Sequence, residues 1–246
     1  MTLKIIGSSS SGNCYILENA TEALIIECGV NIKAIKQALN FNLSKVVGCL
    51  VSHEHGDHCK AVKDVMGCGI SVFTSKGTAD ALGLSGNHHR VNYLIPERRI
   101  NLWPFSVLPF AVEHDAAEPL GFLIKHPEAG TTLFLTDSYM SRPTFKGLNN
   151  IIVEANFCEE IIDRKLQEGG NGFVRDRVLQ SHMSIQTCMK LLKANDLSAV
   201  NNILLIHLSE SNSDATSFKR QVTEMTGKTV HIAEPGMEIE FNRYAI

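Results

Sequence analysis

The sequence predicts an α/β (α+β) protein built as a four-layer αββα sandwich, two packed β-sheets between outer helices. Three observations point there. Short apolar runs of strand type recur along the whole chain and alternate with stretches of helical periodicity. The first half is mostly strands with interspersed helices, and the second half repeats that style, so two stacked sheets covered by helices would bury all of these runs. No repeat, low-complexity segment or linker divides the chain, and residues 1–246 are expected to form one domain.

Taken in order, 2–7 and 14–18 read as strands joined by Ser8-Ser9-Ser10-Ser11-Gly12-Asn13, either simply a turn or one that lines a site with its backbone N–H groups. Residues 23–27 form a third strand ending at Cys28-Gly29, and 31–39 a helix with Ile32, Ile35 and Leu39 on one face. The run 46–51 is a buried strand that ends in a turn at Gly56. Residues 58–66 are expected as one helix stopped by Gly67, 70–74 as a strand, and Ser75 as the N-cap of a helix reaching about Leu82. Residues 84–99 are weakly patterned, with His88 and His89 read as surface residues. A strand over 106–112 follows, then a hairpin of 121–126 and 131–136 around Pro127-Glu128-Ala129-Gly130. Residues 150–154 are a buried strand, 158–167 a helix, and 172–181 a loop or short helix. The remainder reads as a helix over 184–194, a strand over 203–206, a helix over 214–226 and strands near 229–232 and 237–242.

Composition narrows the function classes. Hydrophobic residues make up 44% and charged residues 20%, as in ordinary soluble globular proteins. No apolar run approaches the roughly 18 residues of a membrane span, so no membrane partner is expected. The net charge of −3 leaves no whole-chain nucleic-acid footprint, although two bound divalent cations would make a local field positive. Seven cysteines without a Cys-x-x-Cys pair argue against a disulfide framework. Cys28, Cys49 and Cys68 read as small core residues, and Cys59 as a packing residue beside His58. Without an export signal the cytoplasm is the expected compartment.

The chain is organised around Val51-Ser52-His53-Glu54-His55-Gly56-Asp57-His58-Cys59, directly after a buried strand. On an extended backbone His53 and His55 point to one side, and Gly56 lets Asp57 and His58 face a second centre nearby. Imidazole nitrogens and carboxylate oxygens suit zinc, manganese or iron. The pattern predicts a dinuclear metal site. Such a site needs further ligands, and three residues stand at strand ends to supply them: His114, Asp137 and His207.

These motifs resemble the metallo-β-lactamase superfamily over essentially the whole length, in the same order. The resemblance implies a sandwich of that type, with His53, His55 and His114 on one metal, Asp57, His58 and His207 on the other, and Asp137 bridging. Five segments resemble the YycJ/WalJ group of bacterial enzymes, which is associated with DNA exonuclease activity. They are Ser10-Ser11-Gly12-Asn13, residues 114–121, Thr136-Asp137, His182-Met183-Ser184 and residues 207–212. The segments Glu154-Ala155-Asn156-Phe157 and His182-Met183-Ser184 also resemble those that form a proton relay in ribonuclease Z. Two departures stand out. Glu27 occupies a strand end where the superfamily usually has Asp, so the support it gives a ligand histidine is expected to shift. An inserted nucleic-acid clamp is absent.

The function so implied is dinuclear metal-dependent phosphodiester hydrolysis by a bridging hydroxide, with DNA as substrate and exonuclease action. Two divalent ions, zinc or manganese with iron admissible, are the expected cofactors. Asp57 and Asp137 act at the metals, and His182 backed by Glu154 donates a proton to the leaving oxygen. Arg164, Lys165, Arg175 and Arg177 are candidate phosphate contacts, or else a solvated loop. The rival readings are a small-molecule phosphodiesterase, cutting a cyclic nucleotide or sugar phosphate, and a glyoxalase-type thioesterase.

Overall fold

The computed structural model of the chain describes residues 1–84, 89–139 and 144–244. Its first half forms β1 (Thr2–Ser9), β2 (Gly12–Glu18), β3 (Ala23–Ile26), β4 (Val46–Leu50), β5 (Val72–Ser75) and β6 (Val91–Leu94). The C-terminal β14 (Glu238–Glu240) returns to this sheet, giving the order β14-β1-β2-β3-β4-β5-β6. The second sheet contains β7 (Ile100–Leu102), β8 (Phe105–Ala111), β9 (Leu120–His126), β10 (Gly130–Leu135), β11 (Asn150–Glu154), β12 (Asn202–Ile206) and β13 (Thr229–Ile232). Its order is β13-β12-β11-β10-β9-β8-β7. Each sheet is antiparallel on one side and parallel on the other, and the parallel pairs β3–β4, β4–β5, β5–β6, β11–β12 and β12–β13 are joined through helices.

Alternation along the strands builds the layers. Tyr15 and Leu17 of β2 face inward with Leu3, Ile5, Leu24, Ile26 and Leu50, packing on Phe122, Phe134, Ile152, Leu204 and Ile206 of the second sheet. Ile16, Ile25 and Cys49 face outward beneath α1 (Ile32–Ala38), α3 (Val62–Gly67) and α4 (Lys76–Ala81), meeting Ile35, Val65 and Ala79. On the other outer face, Leu133, Ile151, Val153, Ile203 and Leu205 lie under α7 (Ile185–Ala194) and α8 (Ala215–Thr226), meeting Cys188, Leu192, Phe218 and Val222. This is the expected four-layer αββα sandwich.

Several elements differ from the sequence reading. Residues 58–66 are not one helix but α2 (Gly56–Cys59) and α3, because the loop after β3 wedges in: Cys28 N donates to His58 O at 2.8 Å and Ala61 N to Cys28 O at 2.9 Å. Gly56 opens α2 rather than merely ending a strand. Gly29 permits the wedge, since a Cβ there would stand 1.6 Å from Asp57 O. The edge strand β6 lies in the stretch 84–99 that carried weak patterning, and the edge strand β7 follows directly after it. Residues 172–181 form a full helix, α6 (Gly172–Ser181), capped by Asn171, after α5 (Glu159–Gln167). Cys28 and Cys49 are buried while Cys68 is half-buried. His89 is exposed, and His88 falls outside the described residues.

Candidate metal centre

The carboxyl ends of the parallel strands of both sheets meet at one edge, where α/β sheets characteristically present functional groups. Glu27 follows β3, the 53–58 loop follows β4, His114 follows β8, Asp137 follows β10, Glu154 ends β11 and His207 follows β12. Three of these turn sharply. Glu27 (φ 62°), Asp137 (φ 43°) and His207 (φ 55°) adopt the left-handed conformation uncommon outside glycine. The bend returns each side chain into the cleft.

The first group is three imidazoles on one point. His55 Nδ1 lies 3.1 Å from His53 Nε2 and 3.1 Å from His114 Nε2, and Asp137 Oδ2 stands 3.5 Å and 3.7 Å from the latter two. The opposite ring nitrogens are held, His53 Nδ1 by Ser52 Oγ at 2.8 Å and His114 Nδ1 by Asp115 Oδ1 at 3.1 Å. Burial holds His53 well below the ordinary histidine value, with neighbouring His58 adding to the effect, and burial also lowers His114. Both rings are therefore neutral donors of lone pairs.

The second group is Asp57, His58, His207 and again Asp137. His58 Nε2 lies 3.1 Å from Asp137 Oδ2 and 3.2 Å from Asp57 Oδ2, and His207 Nε2 lies 3.4 Å from Asp57 Oδ2. Burial opposes charge on His58 and His207, but Asp137 outweighs it and both sit well above the usual value. Against burial, His207 and His58 in turn hold Asp137 far below the usual carboxylate range. Glu27 turns its Oε2 to His58 Nδ1 at 3.5 Å while its Oε1 accepts from Ser52 N at 3.1 Å. The longer side chain thus still reaches the histidine.

Glu154 is fully buried between the groups. Its Oε1 faces His182 Nδ1 at 2.8 Å and His207 Nδ1 at 3.1 Å; its Oε2 accepts from Ser138 N at 3.2 Å and Met183 N at 3.1 Å. Although Asp137, Glu154, His182 and His207 are also close enough to hold an ion, the oxygens of Glu154 are already taken by these donors, which makes it an orienting group. Burial opposes charge on His182, and Glu154 overcomes it to raise the imidazole above its ordinary value. His182 lines a cavity of about 470 Å³ together with His55, Asp57, His114, Asp137 and His207.

Further residues hold this edge together, among them Glu54, to which motif reading gave no role. Ser8 Oγ accepts from His207 N at 3.0 Å, and Asn13 Nδ2 lies 3.2 Å from Asp57 Oδ2 and 3.3 Å from His58 Nε2. The Ser-Gly-Asn turn therefore meets the site through side chains rather than through backbone N–H groups alone. Glu54 Oε1 accepts from Ala117 N at 2.7 Å and so pins the loop that carries His114. Cys59 does not join the groups; its Sγ donates to Glu54 O and His55 O, each at 3.1 Å, and burial pushes its thiol up to about 12. Of the four basic candidates only Arg177 lines the cavity. Arg175 is paired with Asp163 at 2.8 Å, and Lys165 donates to Ser211 O and Asn212 Oδ1.

The donor set fits two divalent cations. Bonds of about 2.0–2.1 Å in a tetrahedron place ligand atoms about 3.3 Å apart, close to the 3.1 Å spacing of the three imidazole nitrogens. In the second group His207 Nε2 is buried with only Asp57 Oδ2 near it, at 3.4 Å and without a hydrogen bond, as a ligand nitrogen facing a shared centre would be. Fold and site together are those of a hydrolase of the metallo-β-lactamase type, and residues 9–67 match the model described as the Metallo-beta-lactamase superfamily.

Among particular proteins, the chain is similar to the exodeoxyribonuclease YycJ of Bacillus anthracis, at 25% identity over 174 residues, which span 64% of this chain and 64% of that relative's length. The exodeoxyribonuclease WalJ of Streptococcus pneumoniae serotype 2 (strain D39) is 23% identical over 224 residues, covering 85% of this chain and 82% of WalJ. The solved metallo-beta-lactamase fold protein YhfI from Bacillus subtilis superposes with a TM-score of 0.72 at 14% identity, covering 97% of this chain and 99% of YhfI, a likeness of fold.

Proposed function

We propose that this chain is a dinuclear metal-dependent phosphodiesterase that degrades DNA from an end. In this reading His53, His55 and His114 hold one cation, Asp57, His58 and His207 the other, and Asp137 reaches both. Zinc and manganese both suit the nitrogen and oxygen donors. The observation that carries the phosphodiester reading is the Glu154–His182 pair, 2.8 Å apart on the cavity wall. Hydrolysis of a phosphodiester needs a proton for the leaving alkoxide, and a buried carboxylate behind an imidazole is suited to supply it.

When bound, the cations would supply Lewis-acid activation of water and offset charge on the phosphoryl oxygens. The remaining work falls to the chain. Glu154 accepts from His182 Nδ1, which turns Nε2 of that ring toward the cavity and the leaving oxygen. Asp137 sits within 3.7 Å of His53, His58 and His114 and fixes the spacing between the two groups. Ser52 Oγ holds the ring nitrogen of His53 that faces away from the centre at 2.8 Å, and Glu27 stands 3.5 Å from the corresponding nitrogen of His58.

DNA and end-directed cleavage are supported by the names of the two bacterial relatives, both exodeoxyribonucleases. The test is hydrolysis of end-labelled single- and double-stranded DNA beside bis(p-nitrophenyl) phosphate, with manganese or zinc added. Progressive shortening from one end is the expected result. A second reading, a phosphodiesterase of nucleotide-sized molecules, is favoured by the cavity of about 470 Å³, within the range of small-ligand clefts. Cleavage of the small ester with DNA left intact would establish it instead.

A further inference from the structure

The wall of the cleft opposite the 53–58 loop is helix α6, and three of its residues line the cavity at four-residue spacing: Phe173, Arg177 and Ser181. Four residues advance a helix by about 6 Å and return to one face, so these side chains form a single file. The file runs from rim to floor. Phe173 is 78% exposed, Arg177 is exposed, Ser181 is buried, and His182 follows at the helix end beside Glu154.

Two features of the file lack a structural explanation. Phe173 holds a large apolar ring in water, whereas a helix fulfilling only a packing role turns such a residue inward. Arg177 makes no ion pair or hydrogen bond among the described residues, while Arg175, half a turn away, is tied to Asp163 and Asp176. Arg177 is also the one lysine or arginine among the described residues lining a cavity that holds Asp57, Asp115 and Asp137. An unpaired guanidinium beside those carboxylates, on the same helix face as an exposed ring, matches the two chemistries of a nucleotide, a phosphate and a flat base.

Building on the phosphodiesterase reading of this cleft, we infer that α6 is the recognition element for an unpaired nucleotide. Phe173 stacks on the base at the rim, and Arg177 one turn deeper holds the adjoining phosphate, which presents the next phosphodiester to the floor. The separation of one helical turn is comparable with that between a nucleobase and its own phosphate. An aromatic platform needs an unstacked base, so the substrate segment that enters the cleft is single-stranded even where the strand comes from a duplex end. The ring has no base-edge hydrogen bond to offer, and recognition is tolerant of sequence.

The test uses the full chain and two short DNA strands of equal length, one oligothymidylate and one abasic. Binding is followed by fluorescence anisotropy without added metal, and cleavage with manganese. Phe173→Ala is expected to weaken binding of oligothymidylate by about tenfold to a hundredfold, several-fold more than binding of the abasic strand, with the loss in cleavage falling on KM more than on kcat. Phe173→Trp is expected to restore it. Arg177→Gln is expected to weaken both strands alike and to lower the slope of log Kd against log salt by about 0.7. A terminal 2-aminopurine should be quenched on binding wild type and not Phe173→Ala. Equal losses on both strands with Phe173→Ala, or no loss, would overturn the stacking role while wild-type cleavage upheld the phosphodiesterase reading. Phe173-dependent binding without cleavage would do the reverse.

Discussion

Replacing Glu154 by Gln separates the two histidines that this carboxylate touches. Its Oε2 accepts from Ser138 N and Met183 N, and its Oε1 faces His182 Nδ1 at 2.8 Å and His207 Nδ1 at 3.1 Å. A glutamine must keep its oxygen on the two backbone N–H groups, since its NH₂ would otherwise meet two donors. The amide N–H groups then face both imidazoles, which lose their acceptor. A hydrogen bond to a charged group contributes about 1.5–3 kcal/mol, and loss of an orienting partner typically costs a metal site about 10–100-fold in affinity. Glu154→Gln is therefore expected to lower both the rate and the affinity for the ion held by His207. His182→Ala removes only the proton donor, and should lower kcat on DNA by about 10²–10⁴-fold with metal content unchanged. Aryl esters sharpen the contrast, because p-nitrophenolate leaves readily as an anion. His182→Ala should lose much less on bis(p-nitrophenyl) phosphate than on DNA. The assay is kcat on both substrates beside metal content by mass spectrometry after dialysis. Equal losses on the two substrates, or metal loss in His182→Ala, would refute the assigned role.

Asp137→Ala should abolish turnover and reduce bound metal at both positions, since Asp137 belongs to both ligand groups; metal analysis after dialysis checks this. Gly29→Ala should cost about 3 kcal/mol or more by overpacking, because the new Cβ would meet Asp57 O at 1.6 Å, and thermal denaturation reads the loss. Chelation should lower Tm, as an ion at about 100 times its Kd contributes about 2.7 kcal/mol, worth roughly 5–10 °C in a chain of this size. Burial pushes Cys59 and Cys188 up to about 12 and also raises Cys14. The hydrogen bond with Cys49, together with burial, raises Cys28. For Cys49 the hydrogen bond with Cys28 works downward, and burial with neighbouring charge outweighs it. A raised thiol bears less thiolate at pH 8, so a thiol reagent should label Cys68 and Cys158 in the folded chain and all seven cysteines after unfolding.

The ligand-type residues were legible because each directly follows an apolar strand, and a parallel sheet gathers such strand ends at one edge. His114, Asp137 and His207 could be picked out among the scattered histidines and acids for that reason. The supporting residues were not legible in the same way. Ser8 reaches His207 across 199 positions of sequence, and Glu54 reaches Ala117 across 63. No local pattern encodes such pairings. The split between α2 and α3 escaped for a similar reason, since the hydrogen bonds of Cys28 that interrupt the helix come from a distant loop. Residues 91–94 lack clear alternation because β6 lies at a sheet edge, where selection for apolar residues is weaker, and Ile100-Asn101-Leu102 alternates but is too short a run to signal β7.

The two ends of the sandwich are closed in different ways. At the strand starts, Asn150, Asn201 and Asn202 clasp the C-terminal segment with neutral amides, Asn150 and Asn201 to Asn242 O and Asn202 to Glu240 O. Glu18, the charge buried at this end, is neutralised by two lysines, Lys4 and Lys45, each at 2.9 Å. At the strand ends the chain instead buries Glu27, Asp137 and Glu154 and bends three residues into the left-handed region, arrangements that cost stability when unpaired. The first ligand group draws His53 and His55 from one sheet and His114 from the other; the second draws Asp57 and His58 from one and His207 from the other. Neither sheet alone completes either group. A cation in each would therefore serve as a clasp between the sheets as well as a reagent, offsetting buried carboxylates that have no lysine or arginine paired with them among the described residues, whereas Glu18 at the other end has two lysines. That difference, one end balanced by the chain's own cations and one suited to completion by metal, accounts for the strain concentrating at a single edge.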